Sequence, residues 1–154
     1  MYSIDSSALI DGWVRYYPPD ILPTLWNNVD RMVLDGRLRA TEEVKFELER
    51  GADALYGWCC DRASLFLPPT DEVQRGVADI VNRFPSFVPE RSPDGIWADP
   101  YVISLAKIAG FAVITGERRA ADNARRPKIP NVCEAVGVEC IPFLELIRRE
   151  GWRF

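Results

Sequence analysis

Four acids stand where an open parallel sheet would present them to a ligand. Asp5 follows the short apolar run at the N-terminus, and Glu117 lies two residues past the run Phe111-Ala112-Val113-Ile114-Thr115. Asp99 opens the helical stretch before that run, and Glu47 sits in the helical stretch after the second expected strand. In such sheets ligands collect at the carboxyl ends of the strands. Carboxylates gathered at one edge repel each other unless a cation lies between them, and oxygen ligands of this kind suit Mg2+ or Mn2+. A two-metal site would activate water and stabilise a leaving oxygen. Ser7 and Thr115 are placed to orient water or ligands through their hydroxyls.

Composition narrows the chemistry further. The 154 residues contain no histidine. Ser-His-Asp and Cys-His catalysis, His-based zinc proteases and His-based zinc deaminases are therefore excluded. Cys59 and Cys60 are adjacent, Cys133 and Cys140 are six residues further apart than a neighbouring pair would be, and no C-x-x-C occurs. Free thiols in a reducing compartment are the expectation, with no structural zinc. The apolar fraction of 47% suits a globular chain. No apolar run approaches the ~20 residues of a membrane span, and the N-terminus lacks the features of a secretory signal. The expected location is cytoplasmic.

The elements that must position the acids follow from periodicity and punctuation. A strand over residues 2–5 leads into a helix over 6–13, and Pro18-Pro19 breaks the chain. Leu22, Leu25, Trp26, Val29, Met32 and Val33 mark a helix over 21–35, closed by Gly36. A strand over 38–40 precedes a helix over 42–50 capped by Thr41; helix 52–62 and strand 65–67 come next. Thr70 caps helix Asp71–Arg83, and Pro85, Pro89, Pro93 and Gly95 signal an irregular connection over 84–97. Helix Asp99–Ala109, strand 111–115, helix 132–136 capped by Asn131, strand 138–141 and helix 143–150 complete the chain. Trp152 and Phe154 are expected to pin the C-terminus. This alternation predicts one α/β domain spanning 1–154, a three-layer α/β/α fold with a central, mainly parallel sheet.

Four segments together resemble the PIN-domain nucleases, the family that includes the VapC toxins. They are Ile4-Asp5-Ser6-Ser7-Ala8-Leu9-Ile10, Val44-Lys45-Phe46-Glu47-Leu48, Ala98-Asp99-Pro100-Tyr101-Val102-Ile103-Ser104-Leu105-Ala106 and Val113-Ile114-Thr115-Gly116-Glu117. Each is weak alone; their order and spacing across most of the chain make the signal. The full-length texture, including the tail Glu150-Gly151-Trp152-Arg153-Phe154, looks most like an uncharacterised PIN-like toxin branch. The resemblance implies a metal-dependent endoribonuclease with Asp5, Glu47, Asp99 and Glu117 as metal-binding and catalytic acids. It also implies RNA as substrate, a cognate antitoxin as partner, and a homodimer as a further association. One departure stands out: the family usually has Asp where this chain has Glu117.

Helix phase selects among the acids of 42–50 independently. Val44 and Leu48 set the apolar direction; Glu47 lies roughly 80° from its centre, Glu43 roughly 120° and Glu42 roughly 140° the other way. Glu47 is the acid that can flank the core and reach the strand edge.

Each acid also has an ordinary explanation. Asp5 could cap the following helix, Asp99-Pro100 is a common helix start, and Glu47 could be a solvated helix residue. Net charge is −4, from 23 acids and 19 bases, yet residues 117–128 carry Arg118, Arg119, Arg125, Arg126 and Lys128. That strip suits phosphate contacts with RNA or a solvated loop. Trp97 and Tyr101 suit stacking on unpaired bases or packing in the core. Two rival readings stay open: a non-catalytic PIN-like binding module, and a haloacid-dehalogenase-like phosphatase. The phosphatase pattern needs a second acid two residues after Asp5, where this chain has Ser7.

Overall fold

Every residue of β1 (Tyr2–Ile4) and β4 (Ala112–Ile114) is buried, the pattern of strands covered on both faces. They pair in parallel, Tyr2 opposite Ala112 and Ile4 opposite Ile114. β2 (Leu38–Thr41) lies on the other side of β1, with Tyr2 opposite Leu38. β3 (Phe66–Leu67) pairs outside β2, and β5 (Cys140–Ile141) outside β4. The sheet order is therefore β3-β2-β1-β4-β5, parallel throughout, flanked by helices as a three-layer α/β/α fold. The computed structural model describes residues 1–89, 95 and 97–154.

The order itself locates the crevice. The chain lays down β1, β2 and β3 in one direction, then returns to place β4 on the free side of β1. Where the direction reverses, the crossovers leave a gap at the carboxyl ends of β1 and β4. Asp5 and Thr115 are the residues that follow those two strands.

The helices are α1 (Ser6–Ile10), α2 (Pro23–Leu34), α3 (Glu42–Glu49), α4 (Ala54–Cys60), α5 (Asp71–Arg83), α6 (Asp99–Ala109), α7 (Ile129–Val136) and α8 (Phe143–Arg149). α1 continues without a break into a π-helical segment, Asp11–Tyr16, and the Tyr17 N–H closes it on the Gly12 carbonyl at 3.0 Å. Ile4, Leu9, Leu25, Met32, Leu38, Ile103, Ile114 and Leu146 are fully buried. Each such side chain contributes roughly 1.5–3 kcal/mol through burial. α5 and α6 pack closely because Gly76 leaves room for the Ser104 hydroxyl, which donates to the Val73 carbonyl at 2.8 Å.

Several boundaries differ from the sequence expectation. α2 begins at Pro23, not 21, because Pro is tolerated only in a first turn and Ile21 stays exposed. Helix 52–62 contracts to α4, since the Asp53 carboxylate accepts the Tyr56 N–H at 3.0 Å and starts it there. α7 starts at Ile129, so Asn131 is inside the helix and not its cap. Trp152 packs against the core, whereas Phe154 is 58% exposed and pins nothing. Of the irregular connection, Pro85–Phe87 forms a 3-10 turn, while Pro93 lies outside the described residues. Among the described residues no helix is long and apolar enough to cross a membrane.

Candidate functional site

Asp5 is 1% exposed and occupies the N-cap position of α1, yet its side chain makes no capping bond. The capping explanation therefore fails for it. Its Oδ2 accepts from the Thr115 hydroxyl at 3.0 Å and from the Ser7 hydroxyl. Those hydroxyls are aimed by the backbone that follows β4. The Gly116 N–H donates to Ser7 Oγ at 2.9 Å and the Glu117 N–H to Thr115 Oγ1 at 3.1 Å. With their oxygens accepting from the backbone, both hydroxyl protons are left for Asp5.

Glu47 reaches the same place from α3. Its Oε2 accepts from the Ser6 hydroxyl at 2.6 Å, and its Oε1 from the Ala98 N–H at 2.9 Å. It is not a solvated helix residue. Asp99 is the first residue of α6; Ala98 holds the N-cap position, so capping does not explain Asp99 either. Pro100 follows within the first turn, where its missing N–H costs nothing. Oxygens from Asp5, Glu47 and Asp99, three residues far apart in sequence, all lie within 4.8 Å of one another.

The electrostatics are those of surplus negative charge. Burial pushes the Asp5 carboxyl up to about 6; Glu47 and Glu117 add to the shift, and the Ser7 and Thr115 hydroxyls oppose it. Burial pushes Asp99 further, to about 8, reinforced by Asp5, Glu117 and Glu47 and opposed by the Trp97 side chain. The donor set fits a hard divalent cation. Asp5, Glu47 and Asp99 would hold such an ion through one oxygen each.

A family model described as a domain of unknown function, DUF4411, matches residues 2–154. The chain belongs to that family. No curated protein matches it in sequence. The match to DUF4411 covers all four acids of the sequence analysis, including one the triad leaves out.

That acid is Glu117. Its Oε2 accepts the Ile129 N–H at 2.9 Å at the start of α7, and its Oε1 lies 3.9 Å from Lys128 Nζ. It acts on Asp5 and Asp99 through space without joining the group of three. A longer side chain than Asp is what lets it reach the helix.

The basic strip is largely committed to the protein itself. Arg119 bridges Glu134 and Asp122, each at 2.8 Å, and Arg126 donates twice to the Phe87 carbonyl, at 3.0 and 3.2 Å. Asn131 organises the loop by accepting from the Ala120 and Lys128 N–H groups and donating back to the Ala120 carbonyl. Arg125 is exposed, as is Arg118, which makes no hydrogen bond or ion pair with the described residues. Trp97 meets Phe87 edge-on at 4.7 Å and Tyr101 is half-buried, so both side with packing.

Ser6 carries no sequence mark of its role, yet its single hydroxyl lies between Glu47 and Asp5 Oδ1, 3.4 Å away. Its neighbour Ser7 drew the attention, and only the approach of α3 to α1 reveals the contact. Asp11 was also missed. Its carboxylate lies so close to Gly116 that any Cβ there would overlap it, although it sits six residues after Asp5 with no motif to mark it.

Proposed function

We propose that this chain is a Mg2+- or Mn2+-dependent endoribonuclease, and that it acts as the toxin of a toxin–antitoxin pair. The observation that carries the proposal is the convergence of Asp5, Glu47 and Asp99 from three separate elements at the strand-order reversal. Neither Asp5 nor Asp99 has the capping role that would otherwise account for it. The resemblance of the four segments to PIN-domain nucleases supports the choice of RNA and of the toxin class.

A divalent ion, when bound, would supply Lewis acidity for the scissile phosphate and an activated water. The residues do the rest. Ser7 and Thr115 fix Asp5, and Ser6 with the Ala98 N–H fixes Glu47, so the ligand oxygens are oriented before any ion arrives. Asp99 would hold the ion as the third carboxylate of the group.

The test is cleavage of total RNA by the purified protein. Cleavage is expected with Mg2+ or Mn2+ and none in EDTA; cleavage that persists in EDTA refutes the mechanism. Induced expression is expected to arrest growth, and co-expression of a small protein encoded beside the gene to relieve it. A second reading, a metal-binding module that does not cut, is favoured by Glu117 being engaged at α7. Ion binding without cleavage of any RNA would select it.

A further inference from the structure

We propose that the cavity between the π-helical segment and the start of α8 binds one nucleotide of single-stranded RNA, its base on Tyr16 and its phosphate against Arg118. The inference rests on the nuclease reading and names how the substrate is held beside the same carboxylates.

The cavity measures about 240 Å³, and Thr115 and Glu117 form its inner wall. It thus borders the candidate site at Thr115, which donates to Asp5. Its volume falls below the roughly 300–1,000 Å³ of sites for drug-sized ligands, so it suits a single base and not a longer segment. Tyr16 is 63% exposed at its mouth, beside Leu144 at 42%. Large apolar surface of this kind next to a polar centre is what base stacking uses, and stacking tolerates any sequence.

The wall is rigid. Tyr17 stacks on Phe143 at 5.6 Å with 29° between planes, and Tyr16 leans on Tyr17 at 6.2 Å. Gly12 permits this, because a Cβ there would come within 3.0 Å of the Phe143 ring. The π-helical winding of Asp11–Tyr16 is what carries Tyr16 to the mouth, and such winding recurs at functional sites.

Charge points the same way. The acids at the cavity are already met: Asp11 pairs with Arg15 at 2.7 Å, and Glu117 accepts the Ile129 N–H beside Lys128. Arg118 alone among the lining residues offers an uncommitted guanidinium. A phosphate placed against it would share the cavity with Thr115, whose hydroxyl donates to Asp5. A base inside a duplex could not enter, so the substrate is single-stranded or looped.

The experiment measures fluorescence anisotropy of a labelled ten-nucleotide single-stranded RNA of mixed sequence, with Asp5→Asn protein in Mg2+ to prevent cleavage. Tyr16→Ala should weaken binding about tenfold, and Tyr16→Phe should restore it. Arg118→Ala should weaken binding and lower the salt slope by about one, while Arg119→Ala keeps the affinity within about twofold. An abasic version of the RNA should bind Tyr16→Ala and Tyr16 proteins alike. If the wild type cleaves RNA but Tyr16→Ala and Arg118→Ala bind as tightly as their parent, the subsite is wrong and the nuclease reading survives. If the wild type neither binds nor cleaves RNA, both fall.

Discussion

Asp30 and Asp5 are the same functional group in opposite circumstances. Asp30, on α2, meets Arg62 through two bonds of 2.5 and 2.6 Å, and that guanidinium also lies 4.4 Å from the Trp58 ring centroid. Trp58 in turn contacts Trp13 and Trp26, so the pair closes an aromatic cluster. Asp5 instead has Glu47 and Asp99 for neighbours, with hydroxyls as its hydrogen-bond donors. At Asp30 the fold supplies the countercharge and gains stability. At Asp5 it supplies orientation through hydroxyl donors and places no cationic side chain in the group of three. That second arrangement costs folding energy, and under the proposed function a bound ion would offset it.

The largest effect that can break this comparison is loss of the acids. Asp5→Asn or Asp99→Asn should lower RNA cleavage by about a thousandfold or more, since a bound ion contributes several kcal/mol to the barrier. The same changes should not lower the melting temperature of metal-free protein, because they relieve repulsion. Thermal melts in EDTA beside cleavage rates in Mg2+ measure both; unfolded variants would mean that these acids are structural, like Asp30.

The titration of the cluster gives the next effect. Asp5 and Asp99 keep their protons to about 6 and about 8, against 3.8 for the unreacted carboxyl. The folded state therefore binds more protons than the unfolded chain. The stability this adds is complete below about pH 4 and is lost as pH rises through about 6 and then about 8. Metal-free protein should melt lower at pH 8 than at pH 5 by something on the order of 5–10 °C. Asp99→Asn should flatten that slope, and added Mg2+ should abolish it while releasing protons. A pH-independent melt in EDTA would show that the carboxylates are already compensated.

Arg62→Ala tests the other half. Breaking a half-buried bidentate pair and its contact with Trp58 should cost about 2 kcal/mol, a fall of about 4–8 °C. Cleavage by the folded fraction should be unchanged.

What was legible in the sequence depended on locality. Helix Asp99–Ala109 could be read to the residue because Pro100 and Gly110 bracket it and its apolar positions repeat. Strand order could not be read in detail, although parallel alternation gave the fold class and thereby the edge where the acids meet. The candidate acids were legible as strand-end and helix-face positions. Ser6, Asp11 and Tyr16 were not, because their significance comes from elements that approach them from elsewhere in the chain: α3 for Ser6, Gly116 for Asp11 and α8 for Tyr16. The partners of the basic strip were hidden for the same reason, since Glu134 and the Phe87 carbonyl, distant in sequence, engage Arg119 and Arg126.

The smallest expected effects lie on α3, where the comparison can be repeated within one helix. Glu47 joins the triad and Glu43 does not, although the two are one turn apart. Glu43 faces Tyr101, Phe46 and Trp97 in a separate cavity, and its Oε2 is buried with no hydrogen-bond partner among the described residues. Burial raises its pKa. The Thr41 side chain, at the start of α3, opposes that shift. Glu47→Gln keeps the shape and the bond from the Ala98 N–H, with the Ser6 bond reversed so that the amide donates, but removes one ligand charge, so cleavage should fall by at least about tenfold, roughly 1.4 kcal/mol of barrier. Glu43→Gln should leave cleavage unchanged and raise the melting temperature slightly, because a neutral amide is less costly to bury than a carboxylate. Glu42→Gln should change neither. Single-turnover rates and melts on the three variants decide it: a damaging Glu43→Gln with a silent Glu47→Gln would place the working acid on the wrong side of α3 and undo the site.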